Sequence, residues 1–174
     1  MKTTRRHLFL FAVLLTWLLS SCGGQTATPA AAIQTATLSE LQGSVEIMNP
    51  GQTEVTPAGD GMTITEGGQI QTGEDGRVRL DLSTGTMIRL APNTSFLLAS
   101  NAETEDGLFT RIQLAAGRIW IVLTGGSMDV ETPSGVASVR GSYMSVWVDP
   151  ETEDVWVTCL EGWCQAENPT SETW

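Results

Sequence analysis

From Thr37 onward the chain alternates apolar and polar residues in short runs separated by glycine-rich punctuation. In "SVEIM", Val45 and Ile47 share one face. "GRVRLDLSTGTMIRLAP" puts Val78, Leu80 and Leu82 inward and Arg77, Arg79 and Asp81 outward, then turns at Ser83-Thr84-Gly85. "FTRIQLAAGRIWIVL" repeats the plan, with Ile112 and Leu114 inward, a turn around Ala116-Gly117, and Ile119, Ile121 and Leu123 after it. A two-residue period marks strands with one buried face, and tight turns between such runs mark antiparallel pairing. "SFLLASNAETEDG" is compatible with a strand or a short helix. The pattern predicts an all-β domain over residues 37–168, an antiparallel sandwich or jelly-roll-like fold built from hairpins.

The last hairpin allows a residue-level expectation. "MSVWV" and "VWVTC" flank the acidic loop Asp149 to Asp154. Pairing Val148 with Val155 sets Trp147 opposite Trp156 and Val146 opposite Val157, since antiparallel partners shift in lockstep. One face then carries Met144, Val146, Val148, Val155, Val157 and Cys159 and belongs to the core. The other carries Tyr143, Ser145, Trp147, Trp156, Thr158, Leu160 and Trp163. Two readings of this aromatic face stand. It is a second core layer covered by a loop or sheet, or it is an exposed platform for sugar rings or a peptide, with Trp147, Trp156, Trp163 and Tyr143 as its binding residues.

The N-terminus changes what the cysteines mean. Lys2, Arg5 and Arg6 precede an apolar run from Leu8 to Leu19, too short to span a bilayer comfortably. Leu19-Ser20-Ser21-Cys22 resembles a bacterial lipobox, which makes residues 1–21 a lipoprotein signal peptide and Cys22 the lipidated first residue. Residues 22–36 lack periodicity and read as a flexible tether. The expectation is a domain anchored through lipid on the extracytoplasmic side of a bacterial cell membrane. In that oxidising setting Cys159 and Cys164 are expected to form a disulfide. If Glu161-Gly162 is a two-residue turn, the two cysteines stand opposite each other at a spacing a disulfide tolerates. Two thiols without histidine do not complete a structural zinc site, and the spacing is not that of a redox C-x-x-C pair.

Composition narrows the chemistry further. Lys2 and His7 are the only lysine and histidine, and both precede Cys22. From Cys22 onward six arginines minus twenty acids gives a formal charge of −14. Nucleic-acid binding rests on cations that neutralise phosphates, so no nucleic-acid partner is expected. Without histidine or lysine, triad, imidazole-metal and Schiff-base chemistry lack their residues. Carboxylate-only glycoside hydrolysis needs two acids at a set separation, and none is singled out. No catalytic residue, metal site or cofactor is expected. The acidic stretches Asp149 to Asp154 and Glu103 to Asp106 lack calcium-loop spacing and read as solvated hairpin tips. Arg140 reads as a structural arginine paired with a carboxylate or carbonyl.

Two separated segments resemble the FecR-like domain family. "GGQIQTGEDGRVRLDLSTGTMIRLAPNTSFLL" carries G-x-I-x-T-G and then I-x-L-x-P-x-T. "ETPSGVASVRGSYMSVWVDPETEDVWVTCLEGWC" carries T-P-x-G-x-x-x-V-R-G-S and then V-x-x-L-E-G. The resemblance implies an extracytoplasmic β-domain that acts by contact rather than catalysis. Its well-known members are membrane-spanning regulators that sense a receptor outside and control a sigma factor inside. Only a few residues precede Leu8 here, so direct sigma-factor control is not carried over. The chain stops at Trp174 soon after the L-E-G segment, where relatives commonly add a further strand, so the expectation is either a minimal domain or a fragment, with residues 169–174 as its C-terminal tail. The expected role is a non-catalytic, lipid-anchored interaction module that binds an envelope protein and relays a signal, with glycan or cell-wall binding through Trp147, Trp156 and Trp163 as the alternative.

Overall fold

The computed structural model of the protein describes residues 35–104 and 107–168. The expected signal peptide, Cys22, residues 23–34 of the expected tether, Glu105-Asp106 and the tail 169–174 lie outside the described residues, whereas Thr35 and Ala36, read above as tether, already belong to the first strand, and Ala36 is buried. The strands are β1 (Thr35–Gln42), β2 (Val45–Met48), β3 (Thr56–Pro57), β4 (Thr63–Thr65), β5 (Gln69–Thr72), β6 (Arg77–Leu82), β7 (Met87–Leu90), β8 (Ser95–Thr104), β9 (Gly107–Val122), β10 (Ser127–Thr132), β11 (Gly135–Val148) and β12 (Val155–Glu167). No helix occurs among the described residues. The ambiguous stretch after Asn93 is strand β8.

All twelve strands belong to one hydrogen-bonded sheet, in the order β3-β2-β5-β8-β9-β7-β6-β1-β4, with β10, β11 and β12 attached through β9. The sheet rolls up into a small five-strand barrel with further strands packed around it. Alternation works as expected: Val78, Leu80, Leu82, Ile112, Leu114, Ile119, Ile121, Met144, Val146 and Val148 all lie in one apolar core. The turn at Ser83-Thr84-Gly85 joins β6 to β7, with Val78 opposite Leu90 and Leu80 opposite Ile88.

Three features depart from the expected hairpin plan. Ala116-Gly117 does not reverse the chain. Ile112 and Ile119 lie on one continuous strand, whose first half pairs with β8 and whose second half pairs with β7 and β11. Gly117 is a corner at φ 89°, and a Cβ there would sit 2.4 Å from Thr94 Oγ1 and 2.6 Å from the Asn93 carbonyl oxygen, so only glycine fits. The bend is large. Ser127 pairs with Phe109, although an extended chain between them would span roughly 60 Å. That return also makes β10 parallel to the first half of β9, the one parallel pairing among the described strands.

The third departure concerns Glu161-Gly162, which is likewise a corner and not a hairpin turn. β12 runs on through Gly162 (φ 87°), beside a matching corner at Gly141 (φ 111°) in β11. Both strands bend together, and a Cβ on Gly141 would meet the Gly162 Cα at 3.0 Å. Cys159 and Cys164 form the expected disulfide, with Cα atoms 5.9 Å apart. Five residues of straight strand would span roughly 16 Å. The bridge therefore staples the corner of a single strand, where two facing strands had been anticipated.

Candidate interaction face

The terminal hairpin has the anticipated register: Val148 pairs with Val155, Trp147 with Trp156 and Val146 with Val157. The two indoles stack, with ring centroids 4.2 Å apart and planes inclined by 20°. No second layer covers them among the described residues, for Trp156 is 45% exposed and Trp147 half-buried. Tyr143 lies on the same outer face, paired with Val122 of β9 and Glu161 of β12. Trp163 does not join the stack. It sits beyond the Gly162 corner, opposite Arg140, lining a separate cleft of about 490 Å³ with Phe109 and Gln165.

β9 brings two residues to this face that the sequence reading did not nominate. Arg118 pairs with Trp147, and Trp120 pairs with Ser145 on β11 and with Arg89 on β7. The Arg118 guanidinium lies 4.8 Å from the Trp147 ring centre and 5.8 Å from that of Trp120. Each such contact contributes about 0.5–1 kcal/mol at an exposed site. Because β9 and β12 flank β11 on opposite sides, Arg118 and Trp156 cover opposite faces of the Trp147 ring. The outer surface thus carries a continuous ladder, Trp120, Arg118, Trp147, Trp156. The alternation that sent Ile119 and Ile121 inward already sent Arg118 and Trp120 outward. The pairing of β9 with β11, which skips β10, was not readable from that local pattern.

The ladder continues into a cluster of cations. Arg79 and Arg89 are cross-strand partners on β6 and β7. Glu40 bridges them, accepting from Arg79 at 2.9 Å and from Arg89 at 2.6 Å. Asp81 accepts from Arg79 at 2.5 Å. Glu40 is held in the left-handed region (φ 52°) at an irregularity in β1, which turns its side chain toward both guanidinium groups. Hydrogen bonds from Arg89 and then Arg79 hold the Glu40 carboxyl below its ordinary range. Asp81 and then Glu40 raise Arg79 above its ordinary value. Glu40, Arg79 and Arg89 line, together with Arg77 and Trp120, a cleft of about 310 Å³. Four of the six arginines after Cys22 therefore gather on one face of a strongly acidic chain.

The remaining candidates fall elsewhere. The loop Asp149–Asp154 is closed by its own bonds: Asp149 N–H donates to the Asp154 carbonyl, and the Asp149 carboxylate accepts from the N–H groups of Glu151 and Thr152. No three metal-ligating side chains converge among the described residues. Arg140 is not the paired structural arginine anticipated. It is exposed and makes no ion pair among the described residues, because its corner turns it into the Trp163 cleft.

Two threonines of the first motif segment prove to be structural. Thr72 Oγ1 donates to the Ala91 carbonyl at 2.7 Å and accepts from Thr94 N–H at 2.8 Å. Thr94 Oγ1 accepts from Arg118 N–H at 3.1 Å. Both threonines are buried. They lock the strand ends around the Gly117 corner and so fix where Arg118 emerges.

Comparison with curated proteins returns no match. Among solved structures, a crystal structure described as a "putative anti-sigma factor" from Parabacteroides distasonis is similar, at 18% sequence identity and a TM-score of 0.51. The similarity covers 59% of this chain and 48% of that one, so the chain spans about half the length of the protein it resembles. At that identity the likeness concerns the fold. The sequence matches the FecR protein family over residues 68–164, more than half of its length and inclusive of the motifs from Gly68 to Gly162, and the chain belongs to that family.

Proposed function

We propose that this FecR domain is a non-catalytic contact module, tethered through lipidated Cys22 to the extracytoplasmic face of a bacterial membrane. In this reading its outer face binds another envelope protein and relays the occupancy of that partner. The anti-sigma description of the structural relative is in keeping with a signalling role. The observation that carries the reading is the ladder of Trp120, Arg118, Trp147 and Trp156, with Arg79 and Arg89 beside it. Tryptophan, tyrosine and arginine are the residues that dominate binding energy at protein interfaces.

The same geometry weakens the glycan alternative. Stacking a sugar requires a free indole face, and both faces of Trp147 are occupied, one by Arg118 and one by Trp156. Only the outward side of Trp156 remains, and Trp163 lies in another cleft. The test is site-specific photocrosslinking in cells with the full-length anchored protein, probes replacing Trp156 and Arg89, and a control probe at exposed Val55. The expected result is one reproducible envelope protein at the first two positions and none at Val55. Replacing Arg118 with alanine should weaken capture at least tenfold, as loss of a hot-spot residue does. Polysaccharide adducts without protein would overturn the assignment.

A further inference from the structure

Among the described residues β12 is a sheet edge without a neighbour on one side. It pairs with β11 alone, over 13 residues, whereas the edge strands β3 and β4 have two and three residues. Long apolar edges normally carry a lysine, a proline or a bulge that prevents further pairing. The first limb of β12, "VWVTCL", has neither charge nor proline, and its irregularity comes only after Cys159. Of the five exposed large apolar residues among the described ones, three lie on this strand: Trp156, Leu160 (60% exposed) and Trp163 (51%).

The direction of the free backbone groups follows from the hairpin. Asp149 N–H donates to the Asp154 carbonyl, so that pair faces inward along the β11–β12 ladder. Hydrogen-bonded and non-hydrogen-bonded pairs alternate in an antiparallel ladder. Val155 and Val157 therefore direct their N–H and C=O groups away from β11, toward the open edge. Their side chains point to the core yet remain only partly buried, since among the described residues a strand flanks them on the β11 side alone. They form one wall of a groove of about 350 Å³, with Val136 and Ala137 beneath and Asp154 and Glu167 at the rim. Residues 149–168 contain six acids and no lysine or arginine.

From these observations we infer that the β12 edge binds a partner by strand addition, taking an extended segment in which apolar residues alternate with lysine or arginine. The apolar side chains enter the groove beside Val155 and Val157, the backbone pairs with their free groups, and the cations meet the acidic rim and hairpin tip. Charge argues against a second copy as the occupant, because two edges of the same acidic sign repel. The inference rests on the contact-module reading and specifies its mode.

The test uses the full-length protein in detergent micelles and an eight-residue peptide alternating valine and lysine. Its comparators are a block peptide of the same composition and a valine–glutamate alternation. Amide exchange at Val155 and Val157 should slow at least tenfold on adding the alternating valine–lysine peptide, and with neither comparator. Val155→Pro removes one outward donor at the first residue of a strand, where proline is tolerated. Val157→Lys places a cation in the groove. Each should weaken peptide binding at least tenfold while tryptophan fluorescence reports a folded domain. The inference is overturned by equal affinity for the block peptide, by affinity unchanged in Val155→Pro, by amides already protected in the free protein, or by concentration-dependent dimerisation. This assay reads the edge alone. Failure of the contact-module reading would appear instead as absence of a protein adduct in the cellular crosslinking.

Discussion

Replacing Thr72 with valine tests whether the family motif is a hydrogen-bond lock or only a packing position. Valine has nearly the shape of threonine, so the substitution leaves no cavity at this buried site. What it removes is one oxygen with two partners. The Thr94 N–H loses the acceptor at 2.8 Å, and the Ala91 carbonyl loses the donor at 2.7 Å. Thr94 is fully buried, so its stranded N–H costs about 1–3 kcal/mol. The half-buried Ala91 carbonyl adds about 0.5–1 kcal/mol, and the loss totals about 3 kcal/mol. For a domain of this size that lowers the melting midpoint by about 10 °C.

Thr72→Ser is the control that makes the experiment decisive. It keeps the hydroxyl and deletes a methyl group, which costs about 1 kcal/mol. Urea unfolding followed by tryptophan fluorescence should therefore rank wild type above Thr72→Ser and Thr72→Ser above Thr72→Val. The reverse order, with serine the worse replacement, would mean that the methyl packing matters and the hydroxyl does not. The lock around Gly117 would then be an incorrect account of the motif.

Two further outcomes follow from the geometry. Replacing Cys159 and Cys164 together by serine should lower stability by about 2 kcal/mol, the loop-closure effect for so short a loop; calorimetry on oxidised and reduced wild type should give the same difference, and no difference would show that the corner holds without its staple. Glu40, lowered below its ordinary value of 4.5 by Arg89 and Arg79, contributes stability that is present above that value and lost as the pH falls through its folded value. Glu40→Gln should therefore flatten the acid arm of the stability profile below the ordinary value, and a profile that overlays wild type through acid pH would remove Glu40 from the arginine cluster.

The strands and the buried face were legible in the sequence because a period of two assigns each side chain to one side. The Trp147–Trp156 pair was legible for a second reason: with a short loop between two alternating runs, one assumed pair fixes all the others. The corners were not legible. A glycine at positive φ serves a reversal and a corner equally well, so Gly117 and Gly162 read as hairpin turns when both lie within single strands. Local grammar does not distinguish a chain that folds back beside itself from one that bends away toward another partner. The parallel run of β10 along β9 arises from such a bend and has no local signature. Arg118 and Trp120 were placed on the outer face by alternation, yet their meeting with Trp147 depends on that non-local pairing.

The division between motif and face has a consequence for what family membership conveys. Gly68, Thr72, Thr94 and Gly162 belong to the recurring pattern, and each sits where a side chain or backbone group closes a turn, a corner or a buried bond. Arg118, Trp120, Trp147 and Trp156 fall at positions that the pattern leaves open. The pattern therefore specifies how the sheet rolls and where its outer positions point, while the residues at those positions are free to differ. A scaffold of this kind can present one partner-specific face after another without altering its core. On the contact-module reading proposed above, partner identity resides largely in the open positions of β9, β11 and β12, and chains that share the motif residues are expected to bind different proteins.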